Sequence, residues 1–357
     1  MSPIRFGIVG GGWRSLFYLR IARELPERFK VGGVVVRDTA NGEILEAKWG
    51  VKTYRTLDDL LHISGLDFVV VSVPWPITPQ VLFALADRSI PALAETPPAP
   101  DLPGLIALNE LIRRRGRVQV AEQYHLQPLL AAQLAITQSG KLGTVTQAQV
   151  SVAHGYHGIS LIRKFLSITF EPVTITARRF VSPLIAGPDR GGPPTHEHTT
   201  RSRQVIAHLD FGDKLGIYDF TDDQYFSWIR SSRLLIRGDR GEIINSRVRY
   251  LADFRTPITI DLMRQDAGEE GNLEGYYHKG ILSGGEWIYQ NPFAPARLSD
   301  DEIAIATCLS RMQTYVEGGP DFYSLAEAAQ DHYLNIMIER ALELDSTVKT
   351  TLQPWAQ

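Results

Sequence analysis

Cysteine is almost missing from this chain: Cys308 is the one thiol in 357 residues. A single cysteine excludes an internal disulfide and fits a reducing compartment, so the expected location is the cytoplasm. Long hydrophobic runs are missing too. None approaches the roughly 20 apolar residues that span a bilayer, so no membrane association is expected. The first apolar segment is interrupted by Arg5 and reads as a strand, not as a signal peptide. Excess charge of either sign is absent. A formal net charge of −3 gives no electrostatic case for nucleic acid or an anionic surface. The run Arg113-Arg114-Arg115 reads as the solvated end of a helix, where cations complement the dipole. Internal repeats and low-complexity tracts are lacking. What remains is ordinary globular composition, 44% apolar and 22% charged, in a chain long enough for two domains.

The most informative stretch is Ile4–Ser15, IRFGIVGGGWRS. A short apolar strand runs into three glycines, and a helix is predicted from Ser15 to Leu25. Gly10 permits the tight bend, and Gly12 lets the backbone approach a ligand with no Cβ in the way. The free N–H groups of the following helix then point at the same place, which suits a pyrophosphate. Gly10-x-Gly12-x-x-Ser15 departs from the dinucleotide fingerprint only in Ser15, which is small enough for close packing of helix on strand.

Downstream, strands and helices alternate. Strands are predicted at Val31–Val36, Phe68–Val73, Ala92–Ala94 and Val118–Ala121. Helices are predicted at Gly42–Trp49, Leu57–Leu61, Pro79–Asp87 and Leu102–Arg115, with Thr56 capping the second of these. This order implies an α/β fold with a doubly wound parallel sheet over residues 1–122, and ligands bind beyond the carboxyl ends of such strands. Residues 123–357 read as a second, α+β domain. A helix at Leu129–Ser139 precedes strands at Thr144–Val152, Val173–Arg179, Gln204–Phe211, Lys214–Thr221, Arg233–Gly238, Ile243–Leu251 and Pro257–Leu262, a mostly antiparallel open sheet. Helices at Asp300–Glu317 and Ser324–Leu344 follow. Ser182–Ser202 reads as a long loop, either mobile or functional.

Several strand ends carry chemistry. About twenty residues past the glycine turn an acidic side chain normally binds the adenosine 2′-hydroxyl. Val36 stands there, followed by Arg37, which can stack on adenine or pair with a 2′-phosphate. The cofactor is therefore NADP or NAD, with NADP favoured; a slip of one residue would bring Asp38 into place and favour NAD. Later ends read Val71-Ser72-Val73-Pro74-Trp75, Ala94-Glu95-Thr96-Pro97-Pro98 and Ala121-Glu122-Gln123-Tyr124-His125. A further cluster is His154-Gly155-Tyr156-His157-Gly158.

With these motifs the chain resembles the Gfo/Idh/MocA oxidoreductases, the glucose–fructose oxidoreductase and inositol dehydrogenase family, over essentially its whole length. The resemblance implies an amino-terminal Rossmann domain and a carboxyl-terminal domain whose large open sheet makes homodimer or homotetramer contacts. It also implies a tightly held nicotinamide cofactor and a sugar or polyol substrate. Gly10 and Gly12 match the phosphate turn, and Pro74 the proline bordering the nicotinamide. Glu95 and Pro97 match the outer members of a Glu-Lys-Pro motif whose lysine is Thr96 here. The pattern Asp-x-Gly-x-His-x-x-Asp reads Ala153 to Ser160: His157 is kept and both carboxylates are replaced. Trp13 and Arg14 would flank the pyrophosphate and nicotinamide, and Gln123 would reach the nicotinamide amide or ribose.

Removing a hydride from a carbinol carbon leaves a proton on oxygen, which needs a base titrating near the working pH. His157 is the expected base, since imidazole does so. Thr96 can donate one neutral hydrogen bond but brings no cation; His125 or His154 could cover part of that loss, with Tyr124 as a neutral donor. Tyr156 adjoins His157 and could stack on a sugar ring, as could Tyr225, Trp228 and Trp287. The bland readings are a helix-capping role for His157, an outward-facing strand-end role for His154, and packing for the aromatics. His196-Glu197-His198 has metal-like spacing but no identifiable third ligand, so no metal is expected. Two alternatives stay open: an NAD-dependent glycosidase or lyase with transient oxidation, and a non-catalytic dinucleotide-binding regulator.

Overall fold

The computed structural model describes residues 3–63, 65–269 and 275–356. The chain divides into two compact units. The first comprises 1–128, 266–279 and 291–329; the second comprises 129–265, 280–290 and 330–357.

In the first unit the order is β1 (Ile4–Val9), α1 (Ser15–Glu24), β2 (Phe29–Val35), α2 (Thr39–Trp49), β3 (Thr53–Tyr54), α3 (Leu57–Leu61), β4 (Phe68–Val71), α4 (Thr78–Asp87), β5 (Ala92–Ala94), α5 (Leu102–Arg113) and β6 (Val118–Val120). The strands form one sheet in the order β3-β2-β1-β4-β5-β6, parallel at every pair. The strand order reverses direction next to β1, where β1–α1 lies against the end of β4, and such switch points are where open α/β sheets bind ligands. Phe68 to Val71 are buried on both faces, as the β-branched run FVVV requires of a central parallel strand. Phe6 stacks on Phe68 at 5.7 Å. The helices start where their caps say: Asp38 accepts Asn41 N–H, Thr56 accepts Asp59 N–H and Asp101 accepts Gly104 N–H.

The chain continues with α6 (Pro128–Gln138), β7 (Val145–Ser151), α7 (Gly155–Leu166), β8 (Thr174–Ile185), β9 (Thr199–Asp210), β10 (Leu215–Thr221), β11 (Arg233–Gly238), β12 (Gly241–Ile244), β13 (Arg247–Asp253) and β14 (Thr256–Asp261). It ends with β15 (Met263–Ala267), β16 (Tyr277–Ser283), β17 (Glu286–Gln290), α8 (Asp300–Val316), α9 (Leu325–Leu344) and β18 (Val348–Lys349). The second unit is built on a nine-stranded sheet, β14-β13-β12-β11-β7-β10-β9-β8-β18, antiparallel except where β10 pairs with β7. β15, β16 and β17 form a third sheet. No helix among the described residues is long and apolar enough to cross a membrane.

Two expectations are overturned. The stretch Ile243–Leu251 is not one strand but a hairpin of β12 and β13. Asn245 takes φ 53°, in the left-handed region that asparagine tolerates, and its Oδ1 accepts Leu234 N–H at 2.9 Å. Nor is Ser182–Ser202 a loop throughout. β8 and β9 stay paired out to Ile185 opposite Thr199, which leaves only residues 186–198 between them. Pro183 is tolerated because β18 pairs with β8 only at Thr174 and Ile175, so β8 is an edge strand beyond that point.

Inside the second unit, α7 and α9 are joined by a buried ion pair. Arg163 Nη1 donates to Asp331 Oδ1, both side chains are under 5% exposed, and Arg163 also donates to the carbonyl of Thr169. Two charges buried this deeply depend on such pairing. Asp331→Asn is therefore expected to lower unfolding free energy by about 3–5 kcal/mol, read from urea denaturation. A loss near zero would show that the pair does not hold the two helices.

Candidate functional site

The glycine turn is shaped by contact. A Cβ on Gly10 would lie 1.9 Å from the carbonyl oxygen of Ser72, and the residue sits at φ 117°, so only glycine fits. Its N–H donates to Val35 and its carbonyl accepts Ser15 Oγ at 2.8 Å. Ser15, fully buried, thus fastens the turn from the third position of the fingerprint. Around Gly12 a Cβ would meet nothing within 4 Å, which leaves the backbone open to an incoming group. No side chain caps the first turn of α1. Open backbone at an uncapped helix N-terminus is what a pyrophosphate needs, so these residues fit a dinucleotide.

Behind the turn lies a cluster of charges. Glu95, the residue after β5, accepts a hydrogen bond from Tyr18 Oη at 2.5 Å and lies 3.8 Å from Arg14 Nε. Arg14 Nη1 donates to Asp301 Oδ2 at 2.9 Å, and its guanidinium lies over the rings of Trp13 and Phe17. Asp301 Oδ1 accepts Gln123 Nε2 at 3.3 Å. Gln123 Oε1 is buried with no partner among the described residues, a second feature that suits a ligand donor. Burial opposes the charge on Arg14, but Glu95 and Asp301 outweigh it and hold the guanidinium more firmly protonated than usual. Burial also raises the Glu95 carboxyl above its ordinary range, with Arg14 and Tyr18 pulling the other way. Burial and then the Glu95 charge push Tyr18 up.

The first unit therefore brings together Gly10, Gly12, Trp13, Arg14, Glu95, Thr96 and Gln123. Thr96 donates its backbone N–H to Glu95. Tyr124 and His125 follow in a short 3-10 helix, with the His125 ring tilted on Tyr323 at 5.5 Å. Pro74 is exposed just past β4, and Arg37 is exposed just past β2. Asp38, the competitor of Arg37, already accepts Asn41 N–H as the cap of α2. Sequence reasoning missed Asp301 and Tyr18. Tyr18 carries no signal beyond helical spacing, and Asp301 lies 287 residues from its partner Arg14.

His154, Tyr156 and His157 lie in the second unit, at the head of α7. Gly155 takes φ 45°, and a Cβ there would meet Asn335 Oδ1 at 2.8 Å. Gly158 leaves room for the Tyr218 ring, whose hydroxyl accepts Gly155 N–H at 2.7 Å. His157 is 3% exposed, 4.5 Å from the Tyr156 ring and 5.0 Å from the His154 ring. The ring of His332, on α9, meets Tyr156 edge-on at 5.6 Å. Ala153 and Ser160 are wholly buried.

The raised Glu95 carboxyl has a measurable consequence. Above the usual value of 4.5 the unfolded chain has released this proton while the folded protein still holds it. Stability then falls as pH rises from 4.5 through the folded-state value. Glu95→Gln is expected to remove that part of the slope in melting temperature against pH. Parallel slopes in the two proteins would refute the assignment.

The sequence profile of an oxidoreductase family with an NAD-binding Rossmann fold, Gfo/Idh/MocA, matches residues 4–124. Inositol 2-dehydrogenase from Leifsonia xyli subsp. xyli is 25% identical over 117 residues, 33% of this chain and 34% of that enzyme. The chain thus matches about a third of the length of this curated relative. Two solved structures align almost end to end. An oxidoreductase from Agrobacterium radiobacter, in complex with NAD+, L-tartaric acid and magnesium, has TM-score 0.67 and 15% identity, covering 97% of this chain and 98% of its own. A levoglucosan dehydrogenase in complex with NADH has TM-score 0.69 and 14% identity, covering 99% and 100%. At such identities these two similarities speak for the fold. Residues 4–124 are thus similar to the NAD-binding Rossmann stretch of the Gfo/Idh/MocA oxidoreductases.

Proposed function

We propose that this protein is an NAD(P)-dependent oxidoreductase acting on the CH–OH group of a sugar, polyol or related hydroxy or keto compound. The observation that carries the reading is the open, uncapped turn at Gly12 in a stretch matched by an NAD-binding family. The inositol and levoglucosan dehydrogenases among its relatives support the substrate class. A nicotinamide held by the first unit supplies a hydride acceptor. Gly10, Gly12 and the head of α1 bind the diphosphate, with Trp13 and Arg14 at its flank and Pro74, Glu95 and Gln123 towards the nicotinamide end. His157 takes the hydroxyl proton, as an imidazole titrating near neutrality can. Thr96 donates a neutral hydrogen bond, His125 and His154 make up for the missing lysine, and Tyr124, Tyr156 and His154 contact substrate. The enzyme is cytoplasmic, and the nine-stranded sheet joins copies into a homodimer or homotetramer.

Arg37 tilts the cofactor towards NADP because Asp38 is already engaged as a helix cap. The non-catalytic regulator remains the second reading, favoured by Thr96 and by the neutral, buried Ala153 and Ser160.

Native mass spectrometry of the purified protein should find a retained nicotinamide dinucleotide, and no affinity for NAD(H) or NADP(H) would sink the proposal. His157→Ala should lower kcat/KM by roughly 10²–10⁴-fold with cofactor affinity unchanged. Cofactor retention without turnover on a sugar and polyol panel would favour the regulator. Arg37→Ala should weaken NADP+ binding by roughly tenfold, about 1.4 kcal/mol, and leave NAD+ binding unchanged. Equal losses for both would assign Arg37 to something other than the 2′-phosphate.

A further inference from the structure

Cations at the carboxyl edge of the parallel sheet are unevenly matched with anions. Arg14 meets Glu95 and Asp301, and Arg20 meets Glu302. Arg55, the residue after β3, is placed differently. Its Nη1 donates to the carbonyl of Val36 at 3.0 Å and to Thr53 Oγ1 at 3.2 Å, and no carboxylate among the described residues forms an ion pair with it. Glu46, on α2, gives its Oε1 to the N–H and hydroxyl of Thr53 instead. The Arg55 guanidinium lies against the first turn of α2. A Cβ on Gly42 would come within 2.8 Å of Nη1 and 2.9 Å of Nη2, so glycine at this position leaves room for the planar group. The head of a helix carries the positive end of its dipole and is an unfavourable place for a cation. Asp38 caps the same turn through Asn41 N–H but forms no ion pair with Arg55. A guanidinium kept there without a carboxylate calls for an anion from outside the chain.

The neighbouring residue points to the same anion. Arg37 follows Val36 directly, is exposed and forms no ion pair among the described residues. Two guanidiniums thus meet at the end of β2, Arg37 through the chain and Arg55 through the Val36 carbonyl. This strand end is where a dinucleotide places its adenosine 2′-oxygen. We propose that Arg55 is a specificity-determining residue that forms, with Arg37, a clamp for a 2′-phosphate, so that the site selects a 2′-phosphorylated adenosine over one with a free 2′-hydroxyl. Nη1 stays on the Val36 carbonyl and fixes the fork. The Nε–Nη2 edge, without an acceptor among the described residues, then serves two phosphate oxygens, a bidentate contact that a planar guanidinium makes and an ammonium does not. Every residue in this argument belongs to the first unit. The proposal rests on the reading of the glycine turn as a dinucleotide site.

Calorimetry on the full chain tests it, with adenosine 2′,5′-bisphosphate and adenosine 5′-monophosphate as probes that differ only in the 2′-phosphate. The parent is expected to bind the bisphosphate roughly 100-fold more tightly. Arg55→Gln should remove roughly tenfold of that preference and leave affinity for the monophosphate unchanged. Arg55→Lys, which keeps the charge but not the fork, should lose less. NADP+ and NAD+ should follow the same order. Melting temperatures report folding, and if Arg55→Gln fails to fold, Arg55→Lys carries the comparison. Three results would overturn the proposal: no preference in the parent, a preference unchanged in the folded variant, or equal losses for both probes. The last would make Arg55 only a strut between β3 and the end of β2. Binding of NAD+ without a preference between the probes would strike the clamp and leave the oxidoreductase reading standing, whereas a protein that binds no nicotinamide dinucleotide loses both.

Discussion

The first unit depends on a backbone approach that no side chain could survive. At Gly10 the end of β1 runs so close to the carbonyl of Ser72, just past β4, that a Cβ would lie 1.9 Å away. The turn can bend there only because glycine accepts φ 117° and fills no space. Everything at the strand ends follows from that contact. It starts α1 at Ser15, whose hydroxyl closes back on Gly10, and so places Arg14 and Tyr18 one turn apart. Those two side chains then meet Glu95 at the end of β5. A carboxylate buried so deeply would be costly alone; Tyr18 and Arg14 make it tolerable. Asp301 completes the arrangement by holding Arg14 and Gln123 with its two oxygens.

The second unit solves a similar problem with different chemistry. Its buried charges, Arg163 and Asp331, are kept in a structural pair between α7 and α9. The head of α7 carries imidazoles and phenols, which can be buried neutral at far lower cost than a carboxylate or a lysine. Ala153 and Ser160 beside them are fully buried and uncharged.

The alternation of the first third was legible because central parallel strands must be apolar on both faces, as Phe68–Val71 is, and because caps such as Thr56 and Asp101 announce helices. Two readings failed for physical reasons. Ile243–Leu251 alternates well enough for a single strand, but the left-handed turn at Asn245 divides it, and asparagine also occurs in ordinary strand ends. Ser182–Ser202 read as loop, although β8 runs on to Ile185 as an edge strand, which tolerates Pro183. The turn was legible where one residue must be glycine, at Gly10. Pairings between distant residues were hidden. Tyr225 looked like one more aromatic, and its bond to His154 spans 71 residues.

The amino-acid sequence by itself determined the parallel α/β unit and its glycine turn. These are local properties: a glycine spacing and an apolar run. Tertiary structure alone decided how charges and protons are placed. It engaged Arg14 with Asp301 from the first turn of α8 and seated the Tyr225 hydroxyl on His154. Hydrogen bonds act over about 3 Å, and only the folded chain brings such distant residues within that reach.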